Sequence, residues 1–268
     1  MLQRLSLSIV ILLLNACASI PENSTIALES DKPLLTVTDE SNRRVAEFSD
    51  PKMLESVDGF VLPDIRLELP EPSKDISAEQ LDVVSNALNR SLCRRLSPYL
   101  HAHEKRQPGD LVIEAALTGI RPTSRSVSSV SAVIDAVVPG PVRIPAGMGA
   151  IAVDARASTE SGTAAFIRWA KGANPVTTSA KISSIGDAYA LVETFSREFT
   201  ELLLNDKGNG PVRAKLPAPE IQSNENLCLK RFGKPDAAGK GASFLIPLSP
   251  EFIDKGKPET DAASEDGN

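Results

Sequence analysis

Histidine, tryptophan and tyrosine are nearly missing from this 268-residue chain, which holds two, one and two of them, with aromatic residues at 4%. Any histidine-dependent chemistry therefore has only His101 and His103 to draw on. Positive charge is also short. Lys+Arg 29 against Asp+Glu 35 gives a formal net charge of -6, the wrong sign for neutralising many phosphates, so no nucleic-acid partner is expected. No apolar run reaches the about 20 residues that a membrane-spanning helix needs. A Gly-x-Ser-x-Gly elbow is absent, which removes the usual geometry of a serine hydrolase. Gly147-Met148-Gly149-Ala150-Ile151-Ala152 formally fits Gly-x-Gly-x-x-Ala, but Pro145 precedes it and an alternating strand pattern follows, where a dinucleotide site needs a strand and then a helix. No cofactor and no catalytic residue set is expected, and a non-enzymatic chain follows by elimination. What is present, 41% hydrophobic and 24% charged residues, excludes a disordered chain or a fibrous repeat.

The N-terminus reads as an export address. Arg4 precedes the apolar stretch Leu5 to Leu14, about ten residues long and too short to span a bilayer. Leu14-Asn15-Ala16-Cys17 then resembles the bacterial lipobox: an aliphatic residue, a tolerant position, a small residue and a cysteine. Cleavage between Ala16 and Cys17, with a diacylglyceryl thioether on Cys17, would anchor the chain to a membrane essentially permanently, since each buried CH₂ contributes about 0.8 kcal/mol. By resemblance to sorted lipoproteins, Ala18 after the cysteine, in place of Asp, favours the outer membrane, with the chain facing the periplasm. Cys93 and Cys228 remain as an even pair in an oxidising compartment, open to a disulfide or to two reduced thiols.

Residues 1–16 form the expected signal peptide, and 17–58, rich in proline, Asp, Ser and Asn, a flexible tether behind the lipidated cysteine, with one short extended piece at Leu34-Leu35-Thr36-Val37-Thr38. Ile65, Leu67 and Leu69 alternate along a first strand. Ser77 and Gln80 form a capping box, followed by an apolar stripe through Leu81, Val84, Leu88, Leu92 and Leu96. Arg90, Arg94 and Arg95 fall on the other side of that helix and read as a solvated face. Strands follow at Leu111 to Leu117, Ile151 to Ala157 and Thr163 to Ala170, the last two joined by Glu160-Ser161-Gly162. A second helix begins near Asp187, with Leu191, Phe195, Phe199 and Leu202 at helical spacing. These elements predict an α+β domain over 59–205: a mostly antiparallel sheet of about four strands with two amphipathic helices packed on one face. An insertion occupies 123–148, an extended segment with Cys228 follows over 206–254, and a disordered tail runs over 255–268.

Candidate sites come from what the core leaves unexplained. The insertion, with Val130 and Arg143, is the expected contact surface for an envelope protein or lipid partner, and the lone Trp169 is open to joining it or to packing in the core or at a sheet edge. An alternative is a periplasmic metal-dependent or small-molecule enzyme using His101, His103 and Asp110; a His-x-His pair can bind zinc or copper, though a closed site needs further ligands. A passive structural envelope protein is the third reading.

Several stretches resemble a family of bacterial lipoproteins known as domain of unknown function 3313. They are Asn86-Ala87-Leu88-Asn89-Arg90-Ser91-Leu92-Cys93, Val142-Arg143-Ile144-Pro145-Ala146-Gly147-Met148-Gly149, Trp169-Ala170-Lys171-Gly172-Ala173, Gly186-Asp187-Ala188-Tyr189 and Cys228-Leu229-Lys230-Arg231-Phe232-Gly233. The resemblance implies a lipid-anchored envelope protein without an assigned activity and supports a Cys93–Cys228 disulfide. Members often carry a more acidic third strand than Asp154-Ala155-Arg156-Ala157, and the family offers no catalytic residues to carry over.

Overall fold

The computed structural model describes residues 20–21, 28, 32–39, 42–70, 74–124, 148–174, 183–204, 213–235 and 249–254. Eight strands form one sheet: β1 (Leu35–Asp39), β2 (Arg43–Ser49), β3 (Gly59–Val61), β4 (Arg66–Leu67), β5 (His101–Ala102), β6 (Leu111–Arg121), β7 (Ala150–Thr159) and β8 (Gly162–Gly172). Five helices accompany them: α1 (Pro51–Glu55), α2 (Ala78–Leu96), α3 (Gly186–Leu203), α4 (Ala218–Phe232) and α5 (Pro250–Ile253).

The strand order is β1-β2-β8-β7-β6-β3-β5, with β4 beside β6 off this path. Pairing is antiparallel from β1 through β6, whereas β3 and β4 run parallel to β6 and β5 runs parallel to β3. The expected four-strand, mostly antiparallel sheet with two helices is thus corrected to a mixed α+β sheet. The physical reason is α2: a chain that leaves the sheet after β4 and returns through a helix can re-enter parallel to the strands it left. The first expected strand shrinks to β4, of which both residues are exposed.

The span 17–58, read as a tether with one short extended piece at 34–38, holds β1 at that piece and, beyond it, β2 and α1. Only Val45 of β2 is buried, so the strand shows no alternation strong enough to separate it from a linker. Further back, Pro21 lies against Gly119, and the Leu28 backbone hydrogen-bonds Asp154 on the sheet. The segment read as extended around Cys228 is instead helix α4. Pro217 and Pro219 look like breakers in sequence but occupy the helix start, where a missing N–H costs nothing.

The main core lies between the sheet and helices α2, α3 and α4. Leu81, Val84, Leu88, Leu92 and Leu96 bury the predicted stripe of α2, and Phe195 and Phe199 of α3 stack at 6.0 Å beneath Trp169. A disulfide joins Cys93 to Cys228 and fixes α4 to α2 across 135 positions of chain. Asn224 of α4 accepts from the Ala102 N–H of β5 and donates to the carbonyls of Ser97 and Leu100, closing that edge of the sheet.

Candidate functional site

Helix α2 carries two stripes. Its apolar stripe faces the sheet, while Glu79, Gln80, Asp82, Val83, Asn86 and Asn89 recur at three to four residues along a second side. This second stripe forms one wall of a cleft of about 670 Å³. Asp64, Ile65 and Leu67 form another wall, and Glu251 and Asp254, at the two ends of α5, complete it. The volume lies within the range of small-molecule sites.

The start of α2 is held by the predicted capping box: Gln80 N–H donates to Ser77 Oγ at 3.2 Å, and Ser77 N–H to Gln80 Oε1 at 3.0 Å. Gln80 Nε2 in turn donates to Glu251, which also accepts from Ser183 Oγ at 2.9 Å. Burial alone would raise the Glu251 pKa, but these bonds and those from the Glu251 backbone and Ser249 hold the carboxyl below the ordinary carboxylate value.

At the other end of α5, buried Asp254 pairs with buried Arg90. Arg90 also donates to the Phe232 carbonyl at 3.1 Å, and Tyr189 donates its hydroxyl proton to Asp254 at 2.7 Å. Burial first, then the neighbouring Asp254 carboxylate, raises the Tyr189 pKa far above that of a free phenol, so this hydroxyl stays a donor. Arg90 is therefore no part of a solvated face; α5 docks on it. Arg95 keeps to the expected surface, where it meets Glu193.

Within this saturated network two atoms stand out. Asn86 and Asn89, 4% and 2% exposed, each have a side-chain carbonyl oxygen that no group among the described residues meets. Asn86 does use its amide, donating from Nδ2 to the Phe232 carbonyl at 2.8 Å. A buried polar atom left unpaired costs about 1–3 kcal/mol. Both residues line the cleft, while the two oxygens themselves are covered. Sequence reasoning missed them; the available signal was a pair of asparagines inside a long helix, where this residue is unfavourable.

Elsewhere the structure distributes the predicted residues unevenly. Ala16, Cys17, Val130 and Arg143 lie outside the described residues. Trp169 is fully buried, donates from Nε1 to Glu198 at 2.7 Å and meets Phe195 edge-on, so the expectation of a contact surface there is corrected: the indole belongs to the core. His101, His103 and Asp110 do come together. Asp110 Oδ2 lies 2.9 Å from His103 Nδ1 and accepts from the Gln107 N–H at 2.8 Å, and the two imidazoles stack at 6.4 Å. A Cβ on Gly59 would stand 2.3 Å from Asp110 Oδ1, so the pair is packed tightly against β3 and braces the loop before β6. His101 faces Glu220 at 3.6 Å. Among the described residues no group of three or more His, Cys, Asp or Glu is placed to hold a metal ion, and no helix is long and apolar enough to cross a membrane.

No curated protein matches this chain. Among solved structures, a PelC dodecamer from Paraburkholderia phytofirmans is 14% identical, covering 56% of this chain and 93% of the other at a TM-score of 0.32. A single-substitution variant of that dodecamer is 12% identical, covering 57% and 92% at a TM-score of 0.34. The family model described as Protein of unknown function (DUF3313) matches residues 28–199, well over half of the sequence, and the chain belongs to that family.

Proposed function

We propose that this chain is a lipid-anchored cell-envelope protein, attached through Cys17 to the outer membrane and facing the periplasm, whose folded domain is a non-enzymatic binding module with the α2–α5 cleft as its ligand site. The observation that carries the binding function is the pair of orphaned carbonyl oxygens on Asn86 and Asn89, two residues that line that cleft. A fold tolerates two such costs more readily where the atoms serve a ligand. The lipobox sequence supports the anchor, and the Cys93–Cys228 disulfide agrees with an oxidising compartment. The insertion with Val130 and Arg143 remains in this reading as a second contact surface, toward an envelope partner.

Two experiments test it. Radiolabelled palmitate should enter the wild-type chain and be lost in Cys17→Ser, with the labelled protein in the outer-membrane fraction; an unlabelled wild-type chain would overturn the anchor. A photo-crosslinking amino acid at position 67, on the cleft wall, should give a recurrent adduct in living cells that Asn89→Leu removes. Adducts unaffected by that substitution would remove the cleft from the reading.

A further inference from the structure

The chemistry of the cleft is one-sided. Five carboxylates line it, Asp64, Glu79, Asp82, Glu251 and Asp254, and none of the described residues that line it is Lys, Arg or His. Arg90, which meets the cleft residue Asp254, is spent on that carboxylate and the Phe232 carbonyl. Both orphaned atoms, Asn86 Oδ1 and Asn89 Oδ1, are acceptors as well. With Asp254 neutralised by Arg90 and Glu251 hydrogen-bonded to Gln80 and Ser183, the acidic lining and the two acceptors still favour a ligand that brings donors and positive charge.

It must also bring apolar surface. Ile65, Leu67 and Val83 share the lining. The exposed large hydrophobic residues among those described are Leu67 at 43% and Phe252 at 75%, the latter lying between Glu251 and Asp254 in sequence. A bare divalent cation would use neither this apolar surface nor most of the volume, and the carboxylates are not grouped as a metal site.

We infer that the cleft takes an alkylammonium or guanidinium group on an apolar stem, the stem lying along Ile65, Leu67 and Val83 and the head donating to Asn86 Oδ1 and Asn89 Oδ1 as those covered side chains turn toward it. Lysine and arginine side chains have this form, as do free amines. The inference rests on the cleft being the ligand site.

Calorimetric titration of the full chain, disulfide intact, with hexylammonium, hexanoate and hexanol tests it. Hexylammonium should bind at least tenfold more tightly than either of the others. Asn89→Leu should weaken that binding at least tenfold while leaving the melting temperature equal to or above wild type, which separates loss of a contact from loss of the fold. Nα-acetyl-lysine amide distinguishes the two sources: binding as tight as hexylammonium assigns the head group to a partner polypeptide, and binding tenfold weaker assigns it to a free amine. Tighter binding of hexanoate, hexanol or calcium chloride, sensitive to Asn89→Leu, would overturn the inferred ligand class and leave the cleft as a site. Absence of binding by every probe, together with no Asn89-dependent adduct from position 67, would overturn both.

Discussion

Asn86 and Asn89 stand about one turn apart on α2, both buried and both lining the same cleft, and each has a carbonyl oxygen without a partner among the described residues. They differ in one respect: Asn86 Nδ2 donates to Phe232, whereas Asn89 has no such bond to another element. Leucine at 89 removes an unsatisfied polar atom and should leave stability unchanged or raise it. Leucine at 86 loses a buried hydrogen bond and should cost about 1 kcal/mol. Urea denaturation of the two variants checks this ordering.

Arg90 and Asp254 form a buried ion pair between α2 and the end of α5. Arg90→Met leaves the buried Asp254 carboxylate without its guanidinium partner, and should cost about 3–5 kcal/mol. Replacing both partners, with Arg90→Met and Asp254→Leu, should recover most of that loss. A double-mutant cycle from denaturation midpoints measures the coupling.

The Cys93–Cys228 bond closes a loop spanning 135 positions. Loop-closure entropy of that length is worth about 5 kcal/mol at most. Cys93→Ala with Cys228→Ala should lower stability by up to this amount. Amide exchange should accelerate first in α4, while the β7–β8 hairpin keeps its protection.

Acid should loosen α5 from α2. The Glu251 carboxyl is held below its ordinary value of 4.5, so the stability it contributes is complete above about that pH and is lost as pH falls through the lowered folded value. The Gln80 side-chain amide donates to Glu251 and reports the event. Its NMR signal should shift as pH falls below 4.5, and Glu251→Gln should abolish the shift.

Where the local pattern was strong, sequence and structure coincide. The Ser77–Gln80 capping box opens α2, the stripe from Leu81 to Leu96 is buried, and Gly162, at φ 127°, turns β7 into β8. The pattern failed where a strand is half exposed on both faces, as in β2, and where prolines mark a helix start, as at α4. Trp169 misled because rarity suggested a role in recognition, whereas the indole fills the core and bonds Glu198. The cleft itself was illegible: it depends on Glu251 and Asp254 docking more than 160 positions from the α2 residues they meet, a pairing that no local spacing encodes.

The most direct test of the cleft as a ligand site is a two-dimensional NMR titration of the ¹⁵N-labelled full chain with hexylammonium. Shifts concentrated in residues 64–67, 79–89 and 249–254, and lost in Asn89→Leu, are the predicted result. Shifts centred on His101 and His103, or none at saturating amine, would contradict the account.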